Sequence, residues 1–331
     1  MKTHNPWTFC VAPMMGWTDR HFRYFFRLAS KHARLYTEMV TTGALIHGDA
    51  GRFLAYDAFE HPLALQLGGS DPVALARCAR MAYDAGYAEV NLNVGCPSDR
   101  VKSGQFGACL MAEPQKVANC VAAMMAVVPI PITVKTRVGI DHLDSQEYFE
   151  SFLTTLAQAG CRVFIVHARK AWLSGLSPKE NREIPPLDIE RVRIVKEKYP
   201  DWTIVLNGGL KTVGDCQTAL NTFDGVMVGR GVYQEPYDFA HIDTSLFGEE
   251  KALTRDEWLE AFMPYMQTQC EKGVPLKTMT RHLLNVRNGQ PGARAWRRAM
   301  SETPVTMNEM RAQSRYFSGG SSEPSDLANF L

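Results

Sequence analysis

No long apolar run is present in the 331 residues. The most hydrophobic stretch, Val117 to Val134, is broken by Asn119, Pro129 and Pro131. It falls short of the ~20 apolar residues that a membrane-spanning helix requires, and reads as a helix, a break and a strand. Met1–Trp7 lacks the apolar centre of a secretory signal. A soluble, monomeric, cytoplasmic protein with no membrane partner is therefore expected. None of the eight cysteines forms a C-x-x-C pair or stands with histidine at zinc spacing, so no metal site is expected. Free thiols in a reducing compartment are the default for all eight. Net charge is only +1, which by itself points to no polyanion.

The charge is unevenly placed. Lys272 to Arg315 carries nine Lys or Arg against two Glu, a balance of +7 that leaves −6 to the remainder. Such asymmetry suggests a segment facing nucleic acid.

Eight short apolar, β-rich runs recur before residue 230: Thr8–Ala12, Ala33–Thr37, Leu63–Leu67, Ala88–Leu92, Ile132–Lys135, Arg162–Val166, Thr203–Leu206 and Gly225–Val228. Continuous apolar strands alternating with helices imply a parallel sheet buried on both faces. Eight such units fit a (β/α)₈ TIM barrel better than an open sheet. The helices carry their own signals. Asp71-Pro72 opens one that runs to about Ala85 before Gly86, Ser145 opens another ending near Gly160, and Leu187–Lys198 is a third. After Tyr237 the alternation stops. The expected organisation is a barrel over 1–240, a linker over 241–251, a small all-helical domain over 252–317 and a flexible tail over 318–331.

Active sites of such barrels lie at the C-terminal ends of the strands, and the unusual residues fall there. Asn207-Gly208-Gly209 and Gly229-Arg230-Gly231 end the last two strands. Glycine turns at these places let backbone N–H groups approach a phosphate, and Arg230 adds a fixed cation. Gln66 can face a heterocycle edge with donor and acceptor. Lys135 is expensive to bury unless an anion pairs with it, and a reduced flavin is anionic at its N1/C2=O edge. His167 could donate to a phosphate or to the ring. Cys96 stands on a Gly-Cys-Pro turn beyond Asn91 and Asn93, followed by Gly104, Gly107 and Ala108, which suggest a covering loop. Cys109 and Cys120 read as core.

Seven strings resemble the flavin-dependent tRNA-dihydrouridine synthases: Ala12-Pro13-Met14, Leu65–Gly69, Asn91-x-Asn93-x-Gly95-Cys96-Pro97, Lys135-x-Arg137-x-Gly139, His167-Ala168-Arg169, Asn207-Gly208-Gly209 and Val228–Gly231. The stretch His167–Leu187 is similar to the A-type bacterial subfamily, which acts on uridines 20 and 20a of the tRNA D-loop. The resemblance implies bound FMN, reduced by NADPH, contacting Pro13, Met14, Met15, Gln66, Lys135, His167, Asn207, Gly208, Gly209, Gly229 and Arg230. It implies hydride transfer from flavin N5 to uracil C6 and a proton from Cys96 to C5. A free thiol, with its pKa of ~8.5, carries that proton at neutral pH, so nothing is expected to hold Cys96 as a persistent thiolate.

Asn93 is expected at the uracil edge, and the role of Arg137 is left open. Ser177 and Glu180, in the 174–186 loop, are candidates for substrate discrimination. Arg294 and Arg297, three apart on one helix face, are candidates for tRNA contact, with Trp296 on another face as core. Two other readings stay open. One is a flavin barrel enzyme acting on a free pyrimidine, such as a dihydroorotate or dihydropyrimidine dehydrogenase. The other is an RNA-binding chaperone with a vestigial barrel.

Overall fold

The computed structural model describes residues 5–302 and 306–318. Among the described residues, nine parallel strands run in chain order: β1 (Phe9–Val11), β2 (Arg34–Tyr36), β3 (Val40–Thr41), β4 (Leu63–Gly68), β5 (Glu89–Val94), β6 (Ile132–Arg137), β7 (Val163–His167), β8 (Thr203–Asn207) and β9 (Gly225–Val228). β1 pairs with both β2 and β9, and β2 also pairs with β4, which closes an eight-stranded barrel. The two-residue β3 is an extra strand that flanks β4 beyond the barrel's closure and that periodicity did not reveal. Every expected strand is present; Gly225–Val228 has the expected bounds and the others differ by one or two residues at one or both ends.

The helices begin where short polar side chains satisfy free N–H groups. Asp71 accepts from Ala74 N at 2.7 Å at the start of Pro72–Asp84, and Ser145 accepts from Tyr148 N at 3.1 Å at the start of Gln146–Gln158. Asp188 caps Ile189–Lys198, so the third expected helix starts two residues late.

Strand alternation sorts the side chains. Leu63, Leu65, Leu67, Val90, Leu92 and Val134 point outward, into the main core beneath the helices. Cys10, Tyr36, Ala64, Ile165, Val205 and Met227 fill the barrel interior. Along β5 the inward positions are Glu89, Asn91 and Asn93, all buried, so a polar file runs from the closed end of the barrel to its mouth.

A helical lobe follows, with helices Arg255–Glu271, Lys277–Thr280, Ala293–Glu302 and Met307–Ser318. Thr254 and Glu257 form a capping box at its start. Its core does not belong to it alone, because Phe25 and Ala240 of the barrel are part of the same cluster. Trp258 stacks on Phe25 with centroids 4.1 Å apart, and its indole N–H donates to the Phe25 carbonyl at 2.8 Å. The segment 241–251, expected as a linker, is instead partly helical over Ile242–Leu246. Asp243 anchors it by accepting from Ser30 Oγ and Lys31 N, both at 2.6 Å. The reason is one buried carboxylate that composition does not distinguish from a solvated one. The tail expected over 318–331 lies, after Ser318, outside the described residues. No helix among the described residues is long and apolar enough to cross a membrane.

Candidate active site at the barrel mouth

Strand register brings the mouth residues together. Gln66 is opposite Asn91, Asn93 opposite Lys135, Arg137 opposite His167, and His167 opposite Asn207. These pairs are neighbours across the barrel rim although up to 141 residues separate Gln66 from Asn207 in sequence.

The turn carrying Cys96 is built by Asn93. Its side-chain oxygen accepts from Gly95 N at 3.1 Å and Cys96 N at 3.0 Å. Arg137 braces the same turn, donating through Nε to the Gly95 carbonyl at 3.0 Å and through Nη1 to the Asn181 carbonyl at 2.8 Å. Ala108 N donates to the Cys96 carbonyl at 2.9 Å. Gly107 makes that approach feasible, since its φ is +75° and a Cβ there would lie 2.6 Å from the Cys96 carbonyl oxygen. The Cys96 thiol is half-buried and lies 3.4 Å from Ser98 Oγ. Other thiols are removed from chemistry by burial, which pushes Cys78 and Cys120 up to about 11 and Cys161 and Cys216 up to about 12.

Lys135 has no hydrogen-bond or ion-pair partner among the described residues. Burial, and then the neighbouring Arg137 guanidinium, push its pKa down to about 7, against the attraction of the Cys96 sulfur. His167 is held well below its ordinary range by burial and by Arg137, Lys135, Arg169 and Arg182, so its imidazole is neutral. Gly208 has φ +98°, and a Cβ on it would lie 2.6 Å from the His167 ring. Only glycine lets that turn close over the imidazole.

The last two turns are joined by Asn207, whose Nδ2 donates to the Met227 carbonyl at 2.7 Å. Among the described residues, the backbone N–H groups of Gly208, Gly209, Gly229 and Arg230 face no protein acceptor. Arg230 is engaged with Glu183, Nη1 to Oε1 at 2.6 Å, which ties the 174–186 loop to these turns. Pro13 and Met14 are half-buried beside them, and Met15 is exposed. Glu38 holds this first loop by accepting from Gly16 N.

Two of the expected substrate residues have local work. Ser177 N donates to Glu180 Oε2 at 2.8 Å and Glu180 N to Ser177 Oγ at 3.2 Å, so the pair folds the exposed loop. Arg294 and Arg297 are both exposed on the helix Ala293–Glu302, away from this opening in sequence, and Trp296 is buried with its N–H on the Leu283 carbonyl at 2.8 Å. Sequence reasoning missed Glu89, Thr133 and Arg34 deep in the barrel. The signal for Glu89 was a charged residue two and four positions before two asparagines in an otherwise apolar strand.

The family profile described as "Dihydrouridine synthase (Dus)" matches residues 10–316. This chain belongs to the dihydrouridine synthase family. Within that family, it is similar to the tRNA-dihydrouridine(20/20a) synthase of Shewanella oneidensis, 59% identical over 296 residues, covering 89% of this chain and 88% of that one. The synthase of the same description from Vibrio cholerae is 57% identical over 294 residues, 88% of this chain and 90% of its own. That from Escherichia coli K12 is 55% identical over 305 residues, 91% and 88% of the two chains. A solved old yellow enzyme homologue from Zymomonas mobilis superposes with a TM-score of 0.53 at 12% identity, covering 76% of this chain and 91% of that one, a likeness of fold alone.

Proposed function

We propose that this chain is an FMN-dependent, NADPH-driven oxidoreductase acting on CH–CH groups. Its reaction is reduction of the C5=C6 bond of uridine to 5,6-dihydrouridine, at positions 20 and 20a of the D-loop of cytoplasmic tRNA. The observation that carries it is the placing of Cys96. Its thiol stands on a turn clamped by Asn93 and Arg137, at the same opening as Lys135, which has no side-chain partner among the described residues. Family membership and relatives named for positions 20 and 20a support the substrate.

The donor set fits FMN. Backbone N–H groups without acceptors at Gly208, Gly209, Gly229 and Arg230 suit a phosphate, and Lys135 suits an electron-rich ring edge. Pro13, Met14, Met15, Gln66, His167 and Asn207 would complete the contacts. When bound and reduced, FMN supplies the electron pair that uracil C6 receives.

The remaining work falls to the chain. Lys135, when charged, balances negative charge at the mouth. Cys96 delivers a proton to C5 and regains one from solvent. Asn93 orients the base through its free N–H. A base reaches a barrel mouth only when splayed out of its stack. Arg169, Arg182 and Arg230 on the rim, and Arg294 and Arg297 of a recognition domain over 252–317, would hold the phosphates, with Ser177 and Glu180 shaping the loop beside them.

Cys96→Ala is expected to retain FMN and to lose dihydrouridine formation on tRNA transcripts by about 10²-fold or more. An unchanged single-turnover rate would remove Cys96 from the chemistry. Equal turnover of free uridine would favour a free-pyrimidine reductase instead. Purified protein without a yellow chromophore would favour the RNA-chaperone reading.

A further inference from the structure

A single file of hydrogen bonds runs through the barrel from its closed end to the Cys96 turn. Glu89 lies at the bottom and is fully buried. It accepts from Trp7 Nε1 at 2.8 Å, Arg34 Nη1 at 3.1 Å and Tyr36 OH at 2.8 Å. Indole and guanidinium can only donate, so Oε2 accepts, and the carboxylate ion-paired with Arg34 has no proton to give at Oε1, which therefore accepts as well. Thr133 Oγ1 also donates to it, at 2.6 Å. A hydroxyl has one proton, so Thr133 can only accept from Asn91, whose Nδ2 lies 2.8 Å away.

That choice propagates upward. Asn91 must then turn its oxygen to Gln66, which donates through Nε2 at 2.7 Å. Gln66 in turn directs its oxygen to Asn93, which donates through Nδ2 at 2.9 Å. Asn93 is left with its oxygen facing the N–H groups of Gly95 and Cys96, themselves donors only. Both ends of the file demand the same direction, so the orientation of all three amides is determined.

We infer that Glu89, acting through Thr133 and Asn91 from below, and the Gly95 and Cys96 N–H groups from above together lock the hydrogen-bond polarity of the mouth. The lock keeps Asn93 a donor only, and leaves Gln66 with a spare N–H. This rests on the functional reading above and deepens it. The oxygen of Asn93 already holds two N–H groups, so it has no lone pair for a base. Asn93 can therefore meet a pyrimidine at a carbonyl oxygen, and cannot accept from a ring N–H or an exocyclic amine. An amine in place of that carbonyl, as in cytosine against uracil, would set donor against donor. Gln66 likewise offers an N–H to a ring carbonyl or ring nitrogen. Glu89 and Thr133 are positioning residues, since neither touches the reacting atoms.

Thr133→Val breaks the file at one link while leaving the Glu89–Arg34 pair in place, and Thr133→Ser restores the hydroxyl. In the flavin-free full chain, the backbone amide resonance of Cys96 is expected to move in Thr133→Val and to return in Thr133→Ser. With FMN added, Thr133→Val is expected to shift the visible absorption bands and to weaken FMN binding by about tenfold, with recovery in Thr133→Ser. A Cys96 resonance that stays put overturns the relay whether or not FMN binds. A Thr133→Ser variant as impaired as Thr133→Val overturns it too, because only volume would then matter. A wild-type chain that takes up no FMN sinks the functional reading but leaves the Cys96 resonance to decide the relay. Should Thr133→Val not fold, Asn91→Leu cuts the same file one link higher with the same expected outcome.

Discussion

Arg137 donates to the Gly95 carbonyl at 3.0 Å, so a guanidinium from the sixth strand holds the turn that carries the cysteine of the fifth. With its other bonds to the Lys170 and Asn181 carbonyls, it ties the loop after His167 to that turn. Arg137→Lys keeps the charge but cannot reproduce the fork. It is expected to lower kcat on tRNA by about tenfold or more while FMN content stays unchanged. Loss of flavin in proportion to activity would mean that Arg137 serves the cofactor rather than the turn.

Lys135 gives a pH signature. Its pKa is held down to about 7, chiefly by burial and then by Arg137, so the charged form is fully present only below that value. Affinity for FMN, followed by fluorescence quenching, is expected to weaken as pH rises through about 7, by up to about tenfold per pH unit. Lys135→Met should remove this part of the slope, leaving only that of the phosphate. Identical slopes in the two proteins would exclude Lys135 as the partner of an anionic group.

His21 gives a second signature, this one in stability. Its ring nitrogen lies 2.8 Å from Tyr265 OH, at the contact between barrel and helical lobe. Burial depresses its pKa to about 4, with the charge of Arg20 adding to the effect and Asp19 opposing it. An unfolded histidine titrates near ~6.5. The contribution is therefore complete above about 6.5 and is lost as pH falls from there to about 4. Thermal melts should show this loss, and His21→Gln should flatten it. A wild-type melting temperature constant over that window would be the contrary result.

Removing the helical lobe is expected to damage the barrel. Phe25 packs face to face on Trp258 with an interplanar angle of 3°, and both are fully buried. Truncation at residue 252 would expose Phe25, and Trp258→Ala alone is expected to cost roughly 3–5 kcal/mol. Denaturant titration of Trp258→Ala checks this. A loss below about 1 kcal/mol would make the lobe an independent domain.

Surface substitutions test tRNA contact more gently. Arg294→Glu and Arg297→Glu lie on an exposed helix face and should leave the melting temperature unchanged. Each is expected to weaken tRNA binding and reduce the slope of log K against log salt by about one. An unaltered slope in both would place the phosphate contacts elsewhere.

Much of this was legible in the chain. Eight apolar runs at regular spacing dictated the barrel, because strands buried on both faces must be apolar throughout. The strand-end residues Gln66, Asn93, Cys96, Lys135, His167 and Asn207 could be picked out because polar groups at the ends of apolar strands need a reason to be there. Helix starts at Asp71 and Ser145 followed from local hydrogen bonding alone. What the tertiary structure decided was pairing at a distance. That Arg137 braces the Cys96 turn, that Asp243 anchors a supposed linker, that Ser177 and Glu180 satisfy each other, and that Glu89 is linked to amides two and four residues above it all depend on which side chains meet. Hydrophobic periodicity records which way a residue faces. It does not record which donor finds which acceptor, because that is chosen only when the barrel closes and water is expelled from its interior.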